Sequence, residues 1–250
     1  MSGHSRWSQI KRKKGKTDVQ RGKLFSKILR EITVAARNGG GDPKGNLRLK
    51  AAIESAKGAN MPADNIKRAI QKGTGELPGE SYDEITYEGY GPGGVAVLVN
   101  VLTDNKNRTG PEVRHIFEKN AGRMGTAGSV AWMFDRRGII QVDADRIAED
   151  DLLEKALEAG ASDVRAVEKV FEITTAAAEM EAVREALEKG GVPILEAQAA
   201  MVPQSMVKVD GKDAAAVLRL IEALEEQDDV QSVTANYDIA DEVIEAISAA

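Results

Sequence analysis

The chain has 250 residues, of which 42% are hydrophobic and 4% aromatic, so its cores must be packed mainly with aliphatic and small side chains. The absence of cysteine excludes disulfides and thiolate metal sites. The N-terminus is polar and basic, and the longest apolar stretch, residues 95–102, is far too short to span a bilayer. We therefore expect neither a secretory signal nor a membrane segment, and we predict a cytoplasmic protein.

Charge is distributed unevenly along the chain. Residues 1–80 contain 18 Lys or Arg against 7 Asp or Glu, a net charge of +11, whereas the remaining 170 residues contain 16 against 33, a net charge of −17. The overall value of −6 hides this division. Such asymmetry predicts an anionic partner for the first part of the chain alone.

The first 80 residues predict a basic arm followed by a three-helix bundle. The arm covers residues 4–16 and has neither helical nor alternating periodicity. Apolar residues recur at helical spacing in the three segments that follow, and each segment has one apolar face that can be buried only against the others. We predict helices over residues 19–37, 46–57 and from Pro62 to a stop at Gly73 and Gly75.

The arm and the outward face of the first helix together form the candidate nucleic-acid surface. Cations neutralise phosphates and release counterions, and an indole can stack on a base. The alternative is a solvated basic tail with no partner. The candidate contacts are Arg6, Trp7, Lys11, Arg12, Lys13, Lys14 and Lys16 in the arm, and Arg21, Lys23, Lys27 and Arg30 in the helix.

The segment after a linker at residues 74–81 predicts two strands, a helix and a third strand. The strands cover residues 85–88, 95–102 and 129–134, and a capping box formed by Thr109 and Glu112 is expected to begin the helix. The polar loop before that helix suits a nucleic-acid backbone or a ribosomal surface, but its residues also suit simple turn and helix capping. The residues of this second candidate contact are Asp104, Asn105, Lys106, Asn107 and Arg108.

No motif in the sequence predicts catalysis, a cofactor or a metal. Residues 89–94 match G-x-G-x-x-G, but a predicted strand follows where a dinucleotide site needs a helix, so we expect a tight turn. His4 and His115 have no ligand spacing, and the acidic residues 143–151 lack the pattern of a calcium loop. We therefore predict a protein that is not an enzyme and has no catalytic residues, metal site or cofactor.

The rest of the chain predicts an inserted domain in an α+β fold. Residues 136–204 have the order β-α-β-β-α-β of a ferredoxin-like domain, and residues 205–238 supply a β-α-β unit that completes the preceding segment. The prediction is a three-helix bundle followed by two α/β (ferredoxin-like) domains, one inserted in the other. Its segments are 1–80, 81–135 with 205–240, the insertion 136–204 and a helical tail at 241–250.

Five motifs of the sequence are distinctive: GHSRWSQIK at 3–11, NMP at 60–62, YEGYGPGG at 87–94, TDNKNRT at 103–109 and GSVAWMF at 128–134. Through these motifs the chain resembles the YebC family, which includes the bacterial PmpR-type regulators and the mitochondrial translational activator of cytochrome c oxidase. The resemblance spans nearly the whole chain, and Arg6 stands where Lys is common. It implies three domains and regulation of gene expression, either by binding DNA or by binding ribosomal RNA or tRNA as a translation factor that eases synthesis of proline-rich stretches.

The main hypothesis is a non-enzymatic nucleic-acid-binding regulator whose partner is DNA or ribosomal RNA, with the ribosome as a further candidate partner and no membrane association. No helix shows an obvious set of base-reading residues, which favours RNA or shape recognition slightly over sequence-specific DNA. The alternative is a protein-interaction adaptor that uses the acidic α/β domains. The sequence leaves the oligomeric state open, and a monomer is compatible with it.

Overall fold

The computed structural model describes residues 18–167 and 169–249, and within them the fold is α+β, as predicted. The chain divides into two compact units, one of residues 132–206 and one that combines residues 18–131 with 207–249. The bundle and the sheet that follows it fall in the same unit, so the boundaries at residues 80 and 240 stay a prediction. The arm residues Arg6, Trp7, Lys11, Arg12, Lys13, Lys14 and Lys16 lie outside the described residues.

Three helices form the bundle: α1 (Asp18–Gly39), α2 (Leu47–Gly58) and α3 (Ala63–Thr74). The side chain of Asn46 caps α2 by accepting a hydrogen bond from the backbone N–H of Leu49 at 3.0 Å. Gly75, at φ 84°, ends α3 in the left-handed conformation, whereas Gly73 is buried inside the helix and does not end it. The core of the bundle consists of Ile32, Ala35, Ala36, Leu49, Ala52, Ala56, Met61, Ile66 and Ala69.

The elements after the bundle are β1 (Asp83–Tyr90), β2 (Ala96–Thr103), α4 (Lys106–Lys119) and β3 (Arg123–Met124), then, after residue 206, β8 (Val207–Lys208), α7 (Gly211–Glu226), β9 (Val230–Ala235), β10 (Tyr237–Asp238) and α8 (Asp241–Ala249). Four of the strands form an antiparallel sheet in the spatial order β3-β1-β2-β9. β1 pairs with β2 along its full length, and β2 pairs in turn with β9 from the far end of the chain, so two separate segments build one sheet. A short parallel pair, β8 with β10, lies outside it.

The core under this sheet depends on both segments. Alternate residues of β2 point at α7 because side chains on a strand alternate between its faces. Val97, Val99 and Val101 pack there with Phe117 of α4 and with buried residues of α7. Neither segment alone could bury its apolar side chains, which is the physical basis of the discontinuous arrangement.

The other unit has the predicted β-α-β-β-α-β order, with β4 (Phe134–Asp143), α5 (Glu149–Glu158), β5 (Asp163–Val167), β6 (Val170–Ala176), α6 (Met180–Lys189) and β7 (Ile194–Pro203). Its antiparallel strands have the spatial order β5-β6-β4-β7 of a ferredoxin-like sheet. Its first strand pairs with its last, from Phe134 opposite Pro203 onward, so the two ends of the insertion lie side by side.

Two local predictions were wrong. Thr109 does not cap α4, because the helix begins at Lys106, where the side chain of Asn105 accepts from the N–H of Arg108 at 3.1 Å. Residues 129–133 do not form a strand, since a loop leads to a short 3-10 helix at Ala131–Met133 before β4 begins. In both places hydrogen bonds to a distant residue override the local pattern. The hydroxyl of Thr109 donates to Asp229, and backbone N–H groups of the loop at 128–131 donate to Glu88.

Candidate nucleic-acid interface

The outward face of α1 does not stand free in the structure. Lys23 Nζ donates to the carbonyl oxygen of Glu226 at 3.0 Å, and Lys27 Nζ donates to that of Glu225 at 2.6 Å. Both acceptors lie in the last turn of α7, where the helix leaves carbonyl oxygens without an internal partner. Two of the four helix residues predicted to meet phosphates therefore have partners inside the protein.

Arg30 continues this row one turn further along α1. Its guanidinium donates to the carbonyl oxygen of Asp228, forms an ion pair with Asp229 at 3.1 Å and lies 5.8 Å from the ring centroid of Tyr82. The side chain is 19% exposed. Arg21, by contrast, is exposed and makes no ion pair with a described residue.

Asp229 is the residue at which the two predicted contact surfaces meet. Its carboxylate is 1% exposed and accepts from Thr109 Oγ1 at 2.6 Å and from Arg108 at 2.7 Å. Thr103, at the end of β2, lies 3.2 Å from the same oxygen. Arg30 and Arg108, predicted from separate segments, thus hold one buried carboxylate between them.

The ionisation of this cluster is fixed by its contacts. Burial alone would raise the pKa of Asp229, but the hydrogen bonds from Thr109 and Arg108 and the positive charges of Arg30 and Arg108 outweigh it, so the pKa lies below its usual value. The hydrogen bond with Asp229 in turn raises the pKa of the Arg108 guanidinium. Asp229 therefore stays charged at neutral pH.

The loop predicted as a second contact is largely occupied with its own structure. Arg108 bonds Asp104 at 3.0 Å as well as Asp229, and Lys106 lies 3.7 Å from Asp83. The side chain of Asn105 caps α4. Asn107, in the first turn of the helix, is exposed. These contacts support the turn-and-cap interpretation of the loop, while its part in binding stays a prediction.

A cleft of about 460 Å³ lies between α1, the first turns of α4 and the residues at and just after the end of α7. Its walls carry three cations and four carboxylates, so its charge is nearly balanced and does not favour a phosphate. The lining residues are Lys23, Arg30, Arg108, Glu112, Glu226, Gln227, Asp228 and Asp229.

Further exposed cations of the bundle that form no ion pair with a described residue lie on α2 and α3. Each has an exposed side chain that makes no ion pair with a described residue, in contrast to Arg48, which is held by Glu31 at 2.6 Å and Glu84 at 2.9 Å. The bundle therefore retains a positively charged surface after its internal ion pairs have formed. These cations are Lys57, Lys67, Arg68 and Lys72.

A second buried carboxylate, Glu88, organises the loop before the inserted unit. It accepts from the backbone N–H groups of Gly128 at 2.6 Å, Val130 at 2.7 Å and Ala131 at 2.8 Å. Burial would raise its pKa, yet these backbone donors outweigh burial and hold the pKa below its usual value. The sequence offered no sign of this contact, nor of the role of Asp229, because both depend on partners more than 30 residues away.

The remaining motifs have structural roles in the part of the chain that the structure describes. The glycine segment forms the turn from β1 to β2, with Gly93 and Gly94 at φ 69° and 79°, as predicted. No described group of three or more His, Asp or Glu side chains could hold a metal ion. No helix among the described residues is long and apolar enough to cross a membrane.

Comparison with known proteins gives consistent matches along the chain. Residues 5–76 match the family model for the TACO1/YebC protein N-terminal domain, and residues 82–237 match the model for the TACO1/YebC second and third domain. The crystal structure of a conserved hypothetical protein from Aquifex aeolicus superposes with a TM-score of 0.83 at 54% identity, covering 90% of this chain and 93% of that one.

Several relatives are similar over their full length. A protein of Pelotomaculum thermopropionicum named "Probable transcriptional regulatory protein" is 59% identical over 243 residues, 96% of this chain and 100% of that protein. One of Geobacter sulfurreducens with a similar name is 57% identical over 247 residues, 99% of this chain and 100% of that protein. The motifs, the fold and these matches agree, and the chain belongs to the TACO1/YebC family.

Proposed function

We propose that this protein is a non-enzymatic regulator of gene expression that binds nucleic acid through its basic N-terminal part. The observation that carries the proposal is the segregation of charge, +11 in residues 1–80 and −17 in the remainder. The structure adds that Lys57, Lys67, Arg68 and Lys72 stay unpaired in the described bundle. A surface with one sign of charge that spans several elements attracts a polyanion.

The relatives support regulation, since their names describe probable transcriptional regulatory proteins rather than enzymes. Within that class there are two alternatives for the ligand. A transcriptional regulator would bind promoter DNA, whereas a ribosome-associated translation factor that eases synthesis of proline-rich stretches would bind ribosomal RNA or tRNA. Such ligands imply a cytoplasmic site of action. Trp7 would stack on a base, and Arg6, Lys11–Lys14, Lys16 and Arg21 would meet phosphates.

A charge-reversal experiment tests the proposal. Replacing Lys11, Arg12, Lys13 and Lys14 with Glu should weaken binding of a short labelled RNA or DNA duplex more than about tenfold and lower the salt slope by about 3 to 4. A second variant, Lys67→Glu/Arg68→Glu/Lys72→Glu, tests the bundle surface in the same fluorescence anisotropy assay. The matched control is Arg146→Glu/Lys169→Glu/Lys212→Glu, which reverses three exposed cations elsewhere.

Affinity that is unchanged in both variants, or equally reduced in the control, would contradict the proposal.

A second experiment identifies which nucleic acid is bound in cells. It is crosslinking in cells followed by sequencing of the bound DNA and the bound RNA. Enrichment of promoters favours a transcriptional regulator, whereas enrichment of ribosomal RNA favours a translation factor.

A second candidate function, a protein-interaction adaptor, is favoured by one surface of the inserted unit. Leu153 and Leu157 lie one turn apart on α5 and are both exposed, with the exposed carboxylates of Asp150 and Glu154 beside them. Such a face suits a basic amphipathic segment. Association of a basic partner that survives the arm substitutions and is lost in Leu153→Ser/Leu157→Ser would favour this function.

A further inference from the structure

The basic stripe of α1, defined here as Lys23, Lys27 and Arg30, is occupied by the C-terminal end of α7. The acceptors are the carbonyl oxygens of Glu225, Glu226 and Asp228, together with the carboxylates of Asp228, at 3.6 Å from Lys23, and Asp229, at 3.1 Å from Arg30. All of these residues belong to the same compact unit. The three cations, spaced at four and three residues along α1, thus each meet an oxygen of one short segment.

This segment presents the features by which a phosphate backbone attracts lysine and arginine. The last turn of a helix carries partial negative charge on carbonyl oxygens that lack an internal partner. The adjacent carboxylates of Asp228 and Asp229 add formal charge to that row of oxygens. A polyanion that approached α1 would offer the same three cations the same kind of acceptor.

The contact has no apolar core of its own. The buried side chains of the bundle form one cluster and those of the α/β part form another, and neither cluster includes members of the other. Asp228 and Lys23 are both well exposed, with Asp228 at 66%. The exposed ion pair between Lys23 and Asp228 weakens with salt, so this part of the contact opens readily. Arg30 is held by the buried carboxylate of Asp229 and is released from the contact at a higher cost.

We propose that the C-terminal end of α7 is an internal competitor for the basic stripe of α1, and that nucleic acid binds the stripe only when this contact opens. The inference rests on the proposed function. In the closed form, in which α1 contacts the end of α7, nucleic acid can reach Arg21 and the cations of α2 and α3. In the open form, in which this contact is broken, it can also reach Lys23, Lys27 and Arg30. The apparent affinity is then lower than that of the open form by the fraction of molecules that are open.

A crosslink between the two elements tests this competition, and the cysteine-free chain makes it specific. The variant Lys23→Cys/Asp228→Cys is treated either with a flexible bismaleimide, which locks α1 to the end of α7, or with N-ethylmaleimide, which caps both cysteines without locking them. The control is Glu185→Cys/Lys189→Cys, which replaces an exposed ion pair on α6 and receives the same two treatments. Binding of a short labelled RNA and of a labelled DNA duplex is measured for every form.

The locked protein should bind at least about tenfold more weakly than its capped form, while the control should change less than about twofold. Equal affinities for the locked and capped forms would overturn the competition and leave the proposed function standing. If the unmodified protein bound neither probe, the proposed function itself would fail. Intact far-ultraviolet circular dichroism of the locked form verifies that the crosslink has not unfolded the chain.

A substitution that weakens the contact between α1 and the end of α7 gives an independent test of it. Asp228→Asn removes the carboxylate that faces Lys23, so binding should tighten by about twofold or more. Glu185→Gln changes the net charge by the same amount on α6 and should have less effect. Equal gains in the two variants would show that overall charge, and not the contact with α1, controls affinity.

Discussion

At the scale of single residues, the buried carboxylate of Asp229 connects side chains from three elements of the fold. It joins Arg30 of α1, Arg108 of α4 and Thr103 of β2 at one carboxylate, and its own backbone oxygen accepts from the N–H of Leu102 at 2.9 Å. A buried carboxylate with two arginines and two hydroxyls is compensated only as long as all of them remain.

We predict that Asp229→Asn lowers the free energy of unfolding by about 2–4 kcal/mol, because it leaves two arginines without their shared counter-charge. Urea denaturation measures the change. The neighbouring Asp228→Asn is the control, and since its side chain is well exposed it should cost less than about 0.5 kcal/mol. Equal losses in the two variants would contradict the role given to Asp229.

Glu88 predicts a specific dependence of stability on pH. Its folded-state pKa lies below the unfolded value, so its contribution is complete above the unfolded pKa and is lost as the pH falls through the folded pKa. Between neutral pH and about pH 3, the natural chain should therefore lose more stability than Glu88→Gln, which has no proton to bind. Parallel stability curves for the two proteins, from urea denaturation at each pH, would refute this assignment.

At the scale of elements, the bundle depends on the close approach of α1 and α3. A Cβ atom on Gly73 would overlap the carbonyl oxygen of Thr33 and lie 2.7 Å from Cβ of Ala36. The two helices can be this close because Gly73 has no side chain. The apolar periodicity of each helix predicted the bundle, whereas this approach depends on a residue that looked like a helix terminator.

Gly73→Ala should lower the free energy of unfolding by about 1–3 kcal/mol through overpacking, although alanine favours a helix. Gly22→Ala is the matched control in α1, where a Cβ would meet nothing within 4 Å, and it should stabilise the protein by about 0.5–1 kcal/mol. Thermal unfolding of both variants decides the matter. A stabilised Gly73→Ala protein would show that α1 and α3 are not in close contact.

At the scale of the whole molecule, the inserted unit and the unit that contains it have separate cores. The sheet of the containing unit is completed by β9, which follows the insertion, and the insertion begins and ends on neighbouring strands. The insertion could therefore leave the chain without separating the segments that share the first core.

We predict that replacing residues 134–203 by a short Gly-Ser linker gives a protein that still unfolds in one cooperative transition. The ends to be joined are adjacent, because Phe134 pairs with Pro203. Circular dichroism and thermal unfolding test this, and a chain cut after residue 206, which lacks α7 and β9, is the negative control. Loss of cooperative unfolding in the linker variant would mean that the insertion is required for the fold of the remainder.

Much of this fold could be predicted from sequence because its signals are local. Apolar spacing identified the helices of the bundle, and the order of elements in 136–204 identified the ferredoxin-like unit. The capping box at Thr109 failed for the opposite reason: its hydroxyl bonds Asp229, 120 residues away, and a local pattern contains no information about that partner.

The sequence by itself determined the fold class, the family and the segregation of charge, since composition, periodicity and motif spacing do not depend on how the elements pack. Only the tertiary structure decided which of the described cations have partners within the protein. Lys23, Lys27 and Arg30 looked like a free stripe because their acceptors lie about 200 residues further along the chain, at the end of α7. Long-range electrostatic contacts of this kind are fixed by packing, so only the tertiary structure distinguishes the basic residues that form internal ion pairs from those that do not.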